Sequence, residues 1–566
     1  MSAANLRSPP ASPDAPTRTW RLPGLWTLAA GIGALATALP VGTSVWLAFG
    51  AAENEWPHLL ATVLPDYIAT TLLLMAGVAA GTLVIGVGAA WLVVMCAFPG
   101  RALLGWALML PLAAPTYVVA YVYTWLLDYA GPVQHGVRAA FGFAGARDYW
   151  FPDIRSTGGA VVMMTLTLYP YVYLLARAAF IEQGPSATEA SRTLGCTPWE
   201  SFRRVALPLA RPAIVVGVTL AIMETLNDFG TVDFFAVRTL TAGVYNVWLK
   251  MQNVGGAAQI SLVMLAFVVT LLLLEHAARR RHRVYQSRGR DLHGPRYVLP
   301  PARAALALAA CLVPVGLGFA LPAGVLLVMA VENFDQSWSA RFPDYAWNSL
   351  WLAVIAAAIC LLMGTLVAYA QRLRPSPVLQ GLSRAACLGY AIPGAVLGLG
   401  VLIPFGAFDN GLDGLARSWF GISTGLLLSG TIVAVLFAYL VRFFALGFGA
   451  MEAGLARVRP SMDMAARTLG YGPTATLLRI HLPAVKGSAL TALLLVFVDT
   501  MKELPATLVL RPFNFETLAT HVYQHATNEQ LELAALGALC IVAVGLLPVM
   551  VLNRTIARHR EAGNAA

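Results

Sequence analysis

Apolar runs long enough to cross a bilayer recur twelve times along this chain, and a spanning helix needs about 20 such residues. The runs cover 25–49, 69–98, 102–127, 158–181, 210–230 and 258–276, then 304–330, 347–371, 379–406, 423–448, 485–505 and 531–553. Lipid offers no water to free peptide groups, so segments of this length are read as helices. The sequence therefore predicts an all-α integral membrane protein. Of its 566 residues 58% are hydrophobic and 12% charged, against about 45–50% and 25% in soluble proteins. The net charge of +10 does not imply a nucleic-acid partner, because the arginines sit in short runs between apolar segments, where positive-inside sorting places them. The six cysteines lack the paired spacing of a metal site or disulfide framework.

The strongest basic run, ARRRHRVYQSRGRDLHGPRYVLPPAR, falls between the sixth and seventh segments and is predicted to be cytoplasmic. An even number of helices then puts both termini on that side. The predicted organisation is a Pro/Ser/Ala-rich disordered tail (1–22), a six-helix half (23–276), a basic linker (277–303), a second six-helix half (304–555) and a short C-terminal tail (556–566). Acidic residues such as Glu53, Glu55, Asp66, Glu332, Asp335 and Asp344 are left for the outer loops.

A polar stretch is written twice. Residues 189–208 read EASRTLGCTPWESFRRVALP and residues 464–483 read MAARTLGYGPTATLLRIHLP. Gly195 and Gly470 stand 275 residues apart, and the same offset aligns Arg192 with Arg467, Thr193 with Thr468, Pro198 with Pro473, Arg204 with Arg479, and Leu207-Pro208 with Leu482-Pro483. Pro115 faces Pro393 in a weaker match further out. The chain is an internal duplication of two parallel halves. Residues 186–194 are predicted to form a short helix ended by Gly195, since glycine takes the left-handed cap without steric cost. Pro208 and Pro212 suit the first turn of the next membrane helix. Each copy is then a rigid lug on the cytoplasmic face.

The pattern E-A-x-x-x-x-G, followed twelve residues on by Leu-Pro, resembles the cytoplasmic loop of permease subunits of bacterial ABC importers, of the type I architecture. The resemblance implies a coupling helix in each half, carried by Glu189, Ala190, Arg192, Gly195, Leu207 and Pro208 and by Met464, Ala465, Arg467, Gly470, Leu482 and Pro483. It also implies two copies of a partner ATPase that uses ATP and magnesium, a soluble substrate-binding protein outside, and a place in the bacterial inner membrane. The second copy departs from the pattern: Met464 stands where the first has Glu189, with Asp463 one residue earlier. The stretches AIMETLNDFGTVDFFAVRTLTAGVYNVW (221–248) and VDTMKELPATLVLRPFNFETLATHVY (498–523) resemble the ferric-iron branch, whose halves are commonly fused. Ferric iron is the implied substrate; thiamine-type and other fused permeases share the architecture. No Walker A motif or nucleophile constellation appears, so the chain is expected to hydrolyse no ATP and to bind no cofactor of its own.

The repeat offset superposes Glu224 on Asp499 and Asp228 on Glu503. An i, i+4 pair shares one helix face. Counted from Arg211 or Lys486, the carboxylates lie roughly 20 and 25 Å up a core about 30 Å thick. Ionisable groups at that depth are costly and usually face a bundle interior or wet cavity. Two readings follow: the four line a cation pathway, with Lys502 neutralising a neighbour so that iron is not trapped, or they cap the outer ends of their helices. The tyrosines at 117, 121, 123, 169, 171 and 173 are read as packing residues rather than iron ligands, and His481, His521 and His525 have no metal-ligand spacing. A secondary transporter also has duplicated halves and buried carboxylates, but has no need of two matching lugs.

Overall fold

The computed structural model describes residues 24–50, 56–183, 191, 193–280 and 297–564. The N-terminal tail, most of the basic linker, Glu53, Glu55, Glu189, Ala190 and Arg192 lie outside them. Among the described residues ten helices are long and apolar enough to cross a membrane, and counting each of two bent pairs as one span brings the number to twelve. We number the spans α1 (Leu25–Gly50), α2 (Leu64–Met95), α3 (Thr116–Phe141 with the limb Arg101–Ala113), α4 (Thr157–Glu182), α5 (Pro198–Asn227), α6 (Val254–Arg280), α7 (Pro301–Glu332), α8 (Phe342–Leu373), α9 (Gly394–Phe420), α10 (Ile432–Ala456), α11 (Lys486–Met501 with the limb Pro473–Ala484) and α12 (Leu531–Asn564). The helix of α12 runs on through most of the predicted C-terminal tail.

Three expectations change. The segments read as straight spans at 102–127 and 379–406 are both broken. In the first the two limbs meet at 90°. Ala114 and Ile392 are extended, with ψ of 122° and 128°, because the ring of the following Pro115 or Pro393 disfavours helical backbone in the residue before it. The span predicted at 423–448 starts at Ile432, behind a loop in which Gly421, Gly425 and Gly430 all have positive φ. The helix predicted to begin near Pro208 begins at Pro198, and the one predicted at 485 begins at Lys486, behind a separate limb from Pro473. Thr197 and Glu200 form a reciprocal capping box before the first, and a π-helical turn at Phe202–Ala206, matched by Leu477–His481, precedes Leu207-Pro208 and Leu482-Pro483. The wider turn accommodates a proline that has no N–H to donate.

Small residues set the packing, as expected where helices gain nothing by hiding apolar surface from lipid. In the first half a Cβ on Gly86 of α2 would lie 2.9 Å from the Tyr173 nitrogen of α4; in the second a Cβ on Gly364 of α8 would lie 2.5 Å from the Phe448 nitrogen of α10. Each half thus contains a backbone-close pair of corresponding helices.

The halves also interlock. Helix α1 packs against α8 and α9 of the second half as well as α6 of its own, with Ser44 Oγ 3.4 Å from the Val396 carbonyl. Reciprocally, α7 lies against α2 and α4 and accepts a hydrogen bond from Tyr123 Oη at the Leu317 carbonyl, 2.7 Å away. At the end of the linker Tyr297–Val298 pairs in parallel with Cys96–Ala97, just after α2.

Gly364→Ala is expected to lower the thermal unfolding midpoint of the detergent-purified chain by the equivalent of about 1–3 kcal/mol. Gly406→Ala, in α9 with open space around its Cβ position, is expected to leave it unchanged or raise it, because alanine is the better helix former by about 1 kcal/mol.

Candidate functional site

The repeated loops keep the predicted caps. Gly195 and Gly470 have φ of 81° and 79°, with nothing within 4 Å of either Cβ position, so conformation and not space demands glycine there. Leu194, Trp199, Met464 and Leu469 stand exposed beside them. The second loop is braced through Asp463, which the sequence marks only as a neighbour of the changed Met464. Its carboxylate lies 2.8 Å from Arg372 Nη2 and 2.6 Å from His481 Nε2, while Arg372 also donates to the Val458 carbonyl. His481 is fully buried and packs edge-on to Tyr369, whose hydroxyl donates to the Pro473 carbonyl. In the first loop Ser191 and Ser201 hydroxyls meet at 2.7 Å, and Gln183 donates to the Ala206 carbonyl.

From these loops α5 and α11 lead to one cavity of about 100 Å³ between the halves, lined by all five pathway residues: Glu224, Asp228, Asp499, Lys502 and Glu503. That volume admits several waters. The i, i+4 face predicted for the carboxylates is not there, because both helices stop short. Helix α5 ends at Asn227, with Asp228 in extended conformation (φ −74°, ψ 111°), and α11 ends at Met501. The second carboxylate of each half begins the next short helix. Asp228 accepts from the Thr231 nitrogen (2.7 Å) and hydroxyl (2.8 Å) ahead of Gly230–Phe234. Glu503 accepts from the nitrogens of Ala506 and Thr507, both 3.1 Å, and from the Thr507 hydroxyl at the start of Pro505–Leu510. Two of the four thus cap helices, but inside the cavity and not at an outer surface.

The proline breaks explain how the cavity closes around them. After Pro115 the chain brings Tyr117 against Gly230, where an added Cβ would lie 2.7 Å from the Tyr117 Cβ; after Pro393 it brings Gly394 against Pro505, at 2.6 Å. Charges inside are mostly paired. Lys502 Nζ is 2.9 Å from Asp499 Oδ1, Arg442 lies 3.7 Å from Glu503, and Tyr390 Oη donates to Glu224 at 3.2 Å. Among the described residues no three His, Cys, Asp or Glu side chains converge as a metal-ligand set.

The family of binding-protein-dependent transport system inner membrane components matches residues 82–283 and again 361–561. This chain belongs to that family. It is a permease of an ABC transport system with the two domains fused in one polypeptide. The Fe(3+)-transport system permease protein FbpB 2 of Haemophilus influenzae is 24% identical over 86% of this permease and 90% of its own length. The molybdenum transport system permease protein ModB of Escherichia coli is 35% identical over 34% of this permease and 84% of its own length. The sulfate transport system permease protein CysT of the same species is 35% identical over 34% and 67%.

Arg442, Asn227 and Tyr390 line the permease cavity and were missed in the sequence. Arg442 was discoverable, as a lone cation inside the apolar run of α10, by the reasoning that singled out Glu224. Of the tyrosines, Tyr117 and Tyr171 reach the cavity, whereas Tyr123 and Tyr173 are hydrogen-bonded to backbone elsewhere.

Arg442→Leu is expected to destabilise the permease by about 3–5 kcal/mol, since it strands Glu503 without a counter-charge. Adding Glu503→Gln is expected to recover most of that loss in the same unfolding measurement. A loss in the double variant equal to the sum of the Arg442→Leu and Glu503→Gln losses would show that the two side chains are not coupled.

Proposed function

We propose that this permease imports ferric iron across the bacterial inner membrane by alternating access, coupled through its repeated loops to two copies of a partner ATPase. The observation that carries this reading is the convergence of Glu224, Asp228, Asp499 and Glu503 on one cavity between the halves, in a chain similar over most of its length to a ferric-iron permease. Four carboxylates face two cations there, Arg442 and Lys502, and oxygen donors suit a hard ion. A second reading, an oxyanion cargo, is favoured by those two cations and by the molybdenum and sulfate relatives, which cover one half only. Thiamine stays the alternative suggested by the shared architecture.

In the proposed cycle both termini and the loops are cytoplasmic. The ATPases bind ATP and magnesium and hold Gly195 and Gly470 and the exposed side chains around them. Helix α5 is unbroken from Pro198 to Asn227, so a displacement of the first loop moves Glu224 directly. The second loop acts through the 79° bend between Ala484 and Lys486, with Asp463, Arg372 and His481 keeping its limb rigid. Opening outward requires the contacts across the outer side of the cavity to part: Arg155 with Glu529 at 2.9 Å, and Tyr523 with Asp233 at 2.6 Å. A binding protein outside would deliver the cargo at the loops 142–156 and 421–431, which follow α3 and α9. Only a difference in grip between the two states drives such a change.

The test is uptake of radiolabelled ferric iron by cells lacking the permease and re-supplied with it. Gly195→Pro with Gly470→Pro places a φ near −65° where the loops need a positive φ, and is expected to abolish uptake while membrane insertion is normal. Restoration of molybdate or thiamine uptake, with none of iron, would assign the cargo to one of those.

A further inference from the structure

The cargo seat can be narrowed further, and the argument rests on the import reading above. The repeat superposes Glu224 on Asp499 and Asn227 on Lys502. In each half the two residues stand three apart at the helix end, a spacing that makes side chains neighbours. The second half closes its pair, Lys502 on Asp499, and Arg442 faces Glu503 next to it. The first half leaves its pair open. Asn227 is 3% exposed and lines the cavity, and neither its Oδ1 nor its Nδ2 has a hydrogen-bond partner. The hydroxyl of Tyr117, another buried lining residue, also lacks one. Glu224 receives only the Tyr390 hydroxyl, whereas Asp228 is engaged with Thr231.

Buried polar atoms without partners are rare and costly, and the unpartnered Asn227 amide stands about one helical turn from Glu224, a carboxylate that among the described residues has no cation within ion-pair distance. We propose that the cargo is seated on the first half's side of the cavity, on Glu224 and Asn227, as a hard cation that keeps part of its water or chelator shell. These side chains offer carboxylate and amide oxygens, too few to replace a full coordination sphere, and the space beside them admits several waters. Asp499 and Glu503, already paired with Lys502 and Arg442, line the same cavity and do not hold the ion. The symmetric ring of four carboxylates suggested by the repeat is thereby reduced to a single acidic seat.

Equilibrium binding of radiolabelled ferric citrate to the full-length permease in detergent, with molybdate as the comparison probe, tests the seat. Glu224→Gln is expected to weaken ferric binding at least about tenfold, and clearly more than the charge-balanced Asp499→Asn with Lys502→Gln, which leaves the first half's pair intact. Asn227→Asp adds an oxygen donor with charge and is expected to tighten binding, an outcome that a merely structural asparagine does not give. Unfolding midpoints identify any variant that is not folded, and Asn227→Asp then decides. Equal losses in Glu224→Gln and in the double variant, or weaker binding in Asn227→Asp, overturn the one-sided seat and leave iron import standing. Binding of molybdate with none of ferric citrate overturns iron import, and this seat with it.

Discussion

Interrupting a helix inside a membrane strands peptide groups where no water reaches them. This permease interrupts four helices around one small volume, after Ala114, Ile392, Asn227 and Met501, and the rest of the site follows from how the stranded groups are satisfied. Asp228 and Glu503 accept from the first N–H groups of the helices that resume. Glycines at 230 and 394 let backbone and ring approach where a Cβ would collide. Two of the four carboxylates that the sequence suggests as a pathway, Asp228 and Glu503, thus satisfy backbone groups at the breaks, and charge enters the membrane partly as a structural requirement of the breaks.

The two halves solve the same problem with different side chains. At matching positions one has Glu224 with Asn227 and the other Asp499 with Lys502. At the loops, Asp463 and Arg372 form a clamp with the buried His481, whereas Ala206 occupies the matching position of His481. One helix runs straight from loop to cavity and its counterpart bends by 79°. Duplication supplied the scaffold, and divergence made one half a rigid rod and the other a braced elbow.

Much of this was legible in the chain. Twelve apolar runs, the repeated loops, the two left-handed glycines and the five polar residues of the cavity follow from hydropathy, the 275-residue offset and the cost of buried charge. The breaks were not. Pro115 and Pro393 were visible as a matched pair, but an apolar stretch reads as continuous, and the bends are held by contacts with residues more than a hundred positions away. The helix ends at Asn227 and Met501 were hidden because an i, i+4 spacing presumes a helix that continues. Asn227 itself has no charge, so a search for buried ionisable groups passes over it.

The exchange of first helices has a consequence for how the protein is made. Helix α1 finds α8 and α9 only after roughly 300 more residues have been synthesised, which at about 5–20 residues per second is roughly 15–60 s. During that interval its buried stripe, including Ala30, Ala34 and Thr37, faces lipid or transient neighbours. Fusing the halves keeps the waiting helix tethered to the partner that is still emerging, so that docking is intramolecular and does not depend on how many copies share the membrane.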